Sequence, residues 1–312
     1  MKRLNNQLPL ITLVILIIAG SLLSDRFLSL QNLINLVQFA AETGIIAVGM
    51  AFVIFTGGID LSVGSIVALA AVVSASTQQM GVGGVLLLCA TLGALIGLIN
   101  GLVITKARVE PFMATLAMMA IVRAVTLWIT NGGPVLKPVS ASYQAIAGEV
   151  LGIPLPAIYL IVIFIFGYIL LNRMPFGRHV LAVGGGEETA RLFGVKVENV
   201  KLAVYTLSGV LAALAGALIT ARIGMGEPRS GYNFELTAIA IVIVGGTYLL
   251  GGRGTIGGTF IGAMIFAVIL NLMNLMDVSA YIQPIVRGLI IIIAALLISR
   301  SFIKSKKTAE AT

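Results

Sequence analysis

Charge is scarce in this chain. Of its 312 residues only 10% are Asp, Glu, Lys or Arg, 59% are hydrophobic, and the mean hydropathy is +1.08. A soluble domain carries roughly 25% charged residues. Too few are present to coat a water-facing surface, and the class that remains is a polytopic membrane protein. Cysteine is confined to Cys89, inside an apolar run, which excludes an intrachain disulfide and a cysteine metal site. The one histidine, His179, has no Ser or Cys nucleophile arranged around it. No Gly-x-x-x-x-Gly-Lys-Ser/Thr run and no Gly-x-Ser-x-Gly occurs, so a P-loop and a nucleophile elbow are both excluded. Gly184, Gly185 and Gly186 precede a helical pattern but follow no strand, which sets aside a phosphate cradle. We expect no catalytic residue, no metal and no cofactor on this chain.

What is present is apolar length. A bilayer core needs about 17–25 apolar residues per helix, and the segments 8–24, 33–56, 61–77, 83–105, 112–130, 155–172, 201–222, 234–250, 255–276 and 279–300 qualify. The run Leu8–Leu23 is long for a signal peptide and no cleavage site follows it, so it reads as a retained first span. With the amino terminus inside, the inner segments hold Lys2, Arg3, Lys106, Arg108, Arg173, Arg178, Arg191, Lys196, Lys201, Arg253, Arg300, Lys304, Lys306 and Lys307. The outer segments hold only Arg26, Lys137, Arg222 and Arg229. This asymmetry predicts an all-α fold of about ten transmembrane helices with both termini cytoplasmic. It also accounts for the pI near 9.8 without a nucleic-acid partner. One transmembrane domain, 1–312, then carries a cytoplasmic loop 173–201 and a basic cytoplasmic tail 300–312.

Two spans end in glycine pairs, Gly57-Gly58 and Gly251-Gly252. Thr43 aligns with Thr237, Ile45 with Ile239, Val48 with Val242 and Gly64 with Gly258, which suggests an internal repeat, parallel or inverted. Both breaks fit either loops or re-entrant segments. Small residues three or four apart, as in Gly93, Gly97 and Gly101, make faces for close helix packing.

Charges inside spans are costly and mark function or partner contact. Glu42, Arg123 and Arg287 fall there, with Asp60 and Asp277 at span ends. Arg123 is a candidate partner for Glu42, and Asp60 is expected to order the end of the second and third spans. This is too sparse for a proton relay. Asn35, Gln38, Asn100, Thr115, Asn271 and Asn274 either line a wet route for a neutral polyol or hydrogen-bond between helices.

The loop 173–201 holds much of the chain's charge. Three glycines release the chain, and Glu187 opens a helix of about two turns that suits a stop at Gly194. Leu192 and Phe193 leave an apolar edge, and the Glu187–Glu188 pair argues against an anionic lipid surface as its seat. A docking helix is expected.

The run Gly57-Gly58-Ile59-Asp60-Leu61-Ser62-Val63-Gly64, with residues 47–56, 112–119, 130–135, 182–195 and 244–258, resembles the inner-membrane permeases of ATP-binding-cassette sugar importers, ribose-type branch. The resemblance covers about residues 5–300. It implies a bacterial cytoplasmic-membrane permease, paired with a second copy (a homodimer) and surrounded by lipid. A separate ATPase subunit would bind ATP and Mg, and a soluble periplasmic or lipid-anchored binding protein would deliver the sugar, ribose being the best match. Glu187, Glu188, Ala190, Arg191, Leu192, Phe193 and Gly194 would form the coupling helix. Gly186-Glu187-Glu188-Thr189 departs from the Gly-Asn-Glu-Ala of ribose permeases, which touches the choice of ATPase partner and leaves the role intact. The competing class is a secondary carrier or channel energised without an ATPase.

Overall fold

The computed structural model describes residues 8–279 and 281–293. Its helices are α1 (Leu8–Leu23), α2 (Leu30–Phe55), α3 (Val63–Ser76), α4 (Gly81–Thr105), α5 (Pro111–Ile129), α6 (Leu155–Asn172), α7 (Pro175–Gly185), α8 (Glu187–Leu192), α9 (Val197–Ile223), α10 (Phe234–Val244), α11 (Ile256–Leu275) and α12 (Gln283–Ile293). Among the described residues, α2, α4, α5, α6, α9 and α11 are long and apolar enough to cross a membrane. The apolar helices α1, α3, α10 and α12 are shorter. Each expected span thus meets an apolar helix, but only six have crossing length. The largest departure is at 234–250, where α10 stops at Val244 although the apolar run continues. Lys2, Arg3, the tail 300–312 and the far part of the 279–300 span lie outside the described residues.

The central helix is α2, with 83% of its span window buried. Ser29 caps it, its side chain accepting the Asn32 N–H at 3.4 Å. Against it runs α9, antiparallel, with Gly49 of α2 on Ser208 near the middle of α9, and Glu42 at the middle of α2 on Arg222 at the end of α9. α4 packs on α9 through the glycine face read from the sequence: a Cβ on Gly93 would overlap the Gly209 carbonyl, and one on Gly97 that of Tyr205. Gly258 and Gly262 of α11 meet the carbonyls of Gly245 and Ile241 in the same way. Without a hydrophobic drive between helices in lipid, such close backbone approach supplies much of the packing energy.

Two helices start inside the bundle. Between α2 and α3 the chain turns back at Gly57 (φ 80°), and Asp60 reaches Ser208 of α9. Val67 then lies against Gly216, so α3 begins level with the middle of α9. After α9 the chain turns at Gly224 (φ 78°), Gly231 (φ 76°) and Asn233 (φ 62°), and α10 begins with Glu235 beside Gly64 of α3. The starts of α3 and α10 therefore face each other at half depth.

The bundle end away from α8 is capped by residues 133–154. Val135 bridges to Gly226, the two-residue strands Glu149–Val150 and Ile153–Pro154 pair antiparallel, and Tyr143 donates to the Ala217 carbonyl at 3.2 Å. Burial pushes the Tyr143 phenol up to about 12, so it remains a neutral donor at physiological pH.

Candidate functional site

The expected loop 173–201 is built almost entirely of helix. Pro175 opens α7, a position where a missing N–H costs nothing. Gly184 and Gly185 are its last residues and do not release the chain, which corrects the expectation from sequence. Their smallness serves contact instead. A Cβ on Gly184 would overlap the Phe55 carbonyl, and Gly251 lies against Gly57 and Gly184. The Gly252 N–H donates to the Phe55 carbonyl at 3.0 Å, satisfying an otherwise open helix end. The two glycine-pair breaks of the sequence, Gly57-Gly58 and Gly251-Gly252, thus meet a third glycine run at one backbone junction.

Gly186 then adopts φ 157°, ψ 108°, and α8 leaves the junction. Glu187 and Glu188 occupy its first turn, complementing the positive helix end. Gly194 (φ 81°) ends it, donating to the Arg191 carbonyl at 3.0 Å, while Val195 N–H donates to the Ala190 carbonyl at 3.0 Å. Ala190 faces inward. Lys201 pairs with Glu187, and Arg191 pairs with Glu198 at 2.8 Å, both ties running to the first turns of α9. Exposed pairs of this kind contribute about 0–1 kcal/mol each, enough to fix the attitude of a short helix. Leu192 and Phe193 are 89% and 85% exposed, and Glu188 is exposed beside them. Beside α8 opens a cleft of about 1060 Å³, lined by Gly57, Gly58, the turn Lys106–Pro111, Glu188, Arg191 and Tyr205.

Deeper along α9 is a sealed polar cluster. Asp60 accepts from the Ser62 N–H (3.0 Å), Ser62 Oγ (2.6 Å) and Ser208 Oγ (2.8 Å). Asn100 donates to Ser62 Oγ at 2.9 Å. Tyr205 donates to the Ile59 carbonyl at 3.4 Å, and the Thr115 hydroxyl, which donates to the Pro111 carbonyl at 2.8 Å, lies 3.3 Å from the same Ile59 oxygen. Asp60, Ser62, Ser208, Asn100 and Thr115 are all at most 1% exposed. Asp60 thus ties the α2–α3 break to α9, on the same helix that holds α8.

The polar residues singled out from the sequence separate into two groups. Asn100 and Thr115 belong to the cluster just described. Asn271 forms a reciprocal amide pair with Asn32 (2.7 and 2.9 Å), Asn274 accepts from Gln283 (2.9 Å), and Asn35 accepts from Gln31 (3.4 Å), all toward the opposite end. Gln38 is half-buried on α2 between them. Glu42 does not meet Arg123. Its partner is Arg222, at 2.5 and 3.1 Å, because the antiparallel register of α2 and α9 brings those two residues level. Arg123 instead donates to the carbonyls of Pro228 (3.3 Å) and Ser230 (3.2 Å) and stacks over Tyr232 at 4.2 Å. Ser208, Tyr205, Arg222 and Tyr232 were missed, since a lone polar residue in an apolar helix gives no signal of its partner.

A family described as branched-chain amino acid transport system / permease component matches residues 32–295. The ribose import permease protein RbsC of Bacillus subtilis (strain 168) is 46% identical over 293 residues, 93% of this chain and 91% of that protein. RbsC of Escherichia coli (strain K12) is 42% identical over 299 residues, 94% and 93% of the two chains. The D-allose transport system permease protein AlsC of Escherichia coli (strain K12) is 37% identical over 292 residues, 91% and 88%. No solved structure matches.

Proposed function

This chain belongs to the branched-chain amino acid transport system / permease component family, and from that premise we propose that it carries a monosaccharide, ribose by its likeness to the RbsC proteins, through the inner membrane. It is the non-catalytic, multi-pass permease subunit of an ATP-binding-cassette sugar importer. Glu188, Leu192 and Phe193 of α8 seat in a separate ATPase subunit, which binds ATP and Mg. Two copies of the permease form the route, and a soluble binding protein delivers the sugar at the end capped by residues 133–154. About ten helices enter the membrane, with both termini and α8 in the cytoplasm.

The observation that carries this reading is α8 itself. It is a short helix with two large exposed apolar side chains, held by salt bridges on the α9 helix and joined directly to α7, whose Gly184 makes backbone contact with the end of α2. A stroke applied there reaches both central helices. Within the reading, Arg191 orients α8 through Glu198, and Glu188 is the charge left free to meet the ATPase.

The test is uptake of labelled ribose into proteoliposomes. Uptake is expected only when the permease, its ATPase, the binding protein and ATP are all present. Uptake by this chain alone would establish the carrier or channel class instead.

A further inference from the structure

We propose that Tyr232, with Asn233 beside it, forms a subsite for a neutral sugar on the wall of the translocation route, at half depth in the membrane; this rests on the sugar-importer reading above. The start of α10 lies between the levels of Ser208 and Gly216 on α9. That helix spans Val197–Ile223, about 40 Å at 1.5 Å per residue, so this level is near the middle of a helix long enough to cross a bilayer. Residues 224–233 are irregular backbone reaching that depth. Non-helical chain is tolerated there only where protein buries it or water reaches it. Part of this segment is covered: Gly226 packs on α3 and Gly231 on Val67. Tyr232 is not, being 50% exposed, and Asn233 next to it is half-buried. Beneath the ring, Arg123 is pinned by two carbonyls. A guanidinium at half depth needs water, a carboxylate or carbonyls around it, so this face does not point at lipid.

The chemistry of the cluster selects the ligand. Arg123 is already engaged by the Pro228 and Ser230 carbonyls and by the Tyr232 ring. A sugar phosphate or other anion would find no guanidinium presented to it. A neutral polyol finds an aromatic face for its C–H side and, at Tyr232 Oη and the Asn233 amide, groups that both donate and accept to hydroxyls. Arg123 holds the ring through its cation–π contact and is a positioning residue.

The test uses the assembled importer in proteoliposomes. The native thiol, Cys89, is buried against Ser74 and stays silent. In the Tyr232→Cys variant, a membrane-impermeant methanethiosulfonate should react in at least one nucleotide state. The rate should be about tenfold above that of the Ile161→Cys variant, because only a thiol in contact with water forms the reactive thiolate. Ribose delivered by the binding protein should slow that reaction. Sugar moved per ATP should fall about tenfold in the Tyr232→Leu variant, the loss of one good aromatic contact, and stay within about twofold in the Tyr232→Phe variant. Absence of labelling in every state, labelling indifferent to sugar, a disulfide-linked dimer through position 232, or full uptake by Tyr232→Leu would each overturn the subsite. Failure of the wild-type importer to move ribose would strike the importer reading, and is read separately.

Discussion

The chain breaks twice inside the bundle, and the two breaks differ. At Thr56–Ser62 the buried Asp60 carboxylate accepts three hydrogen bonds from Ser62 and Ser208, although Gly57 and Gly58 line the cleft beside α8 and Asn100 Oδ1 is buried without a partner. At 224–233 the backbone is held by Arg123, yet Tyr232 stands half in the open and one carboxylate oxygen of Glu235 is buried without a partner. A buried carboxylate held by several hydrogen bonds rigidifies the elements it joins. The first break is a joint between α2, α3 and α9; the second is where we propose the sugar passes.

Substitutions should separate the two. The largest effect is expected at the joint. Asp60→Ala strands the Ser62 and Ser208 hydroxyls and a backbone N–H, at a cost of about 3 kcal/mol; the Asp60→Asn variant, which keeps shape and most bonds, should lose about 1 kcal/mol. Thermal unfolding in detergent reads both, and an Asp60→Ala protein as stable as wild type would remove the distinction between the breaks. Next comes Glu42→Ala, which leaves Arg222 without its carboxylate just before the second break. Arg222 is partly exposed, so about 2 kcal/mol is expected, less than for a fully buried pair. Equal stability would mean that α9 needs no anchor there.

At α8, Leu192→Ala combined with Phe193→Ala should lower ATP-driven uptake about tenfold while membrane insertion and melting stay unchanged, since both side chains project from the bundle. Intact uptake would show that the ATPase grips elsewhere. The smallest effect on stability is expected for Glu235→Gln, within about 0.5 kcal/mol, because the oxygen replaced has no hydrogen bond to lose. A loss as large as that of Asp60→Ala would make the second break a joint like the first.

The sequence made α8 legible because charge is so rare here: Glu187, Glu188 and Arg191 stand out against a nearly uncharged chain, and Gly194 marks the stop. The glycine face of α4 was legible for a similar reason, as regular spacing of small residues has few other uses. The half-depth starts of α3 and α10 were not. Hydropathy reports which residues tolerate lipid and is blind to where the backbone leaves the helix, so 234–250 reads as one span although α10 ends at Val244. The glycine run 184–186 looked like a hinge because its contact partners, Phe55 and Gly252, are distant in sequence. Glu42 could be matched to Arg222 only once the register of α2 against α9 was known. The shared Thr43/Thr237 pattern does bring two glycine ends together at the junction, but α2 has 26 residues and α10 has 11, so the elements behind the pattern are unequal.

The central claim is that α8 is where the ATPase takes hold, on the opposite side of the joint from the sugar route. A photo-crosslinking amino acid at position 193 in the assembled importer tests it directly. An adduct with the ATPase, its yield changing between ATP-bound and nucleotide-free states, is the predicted result. Adducts with lipid alone in both states would contradict the account.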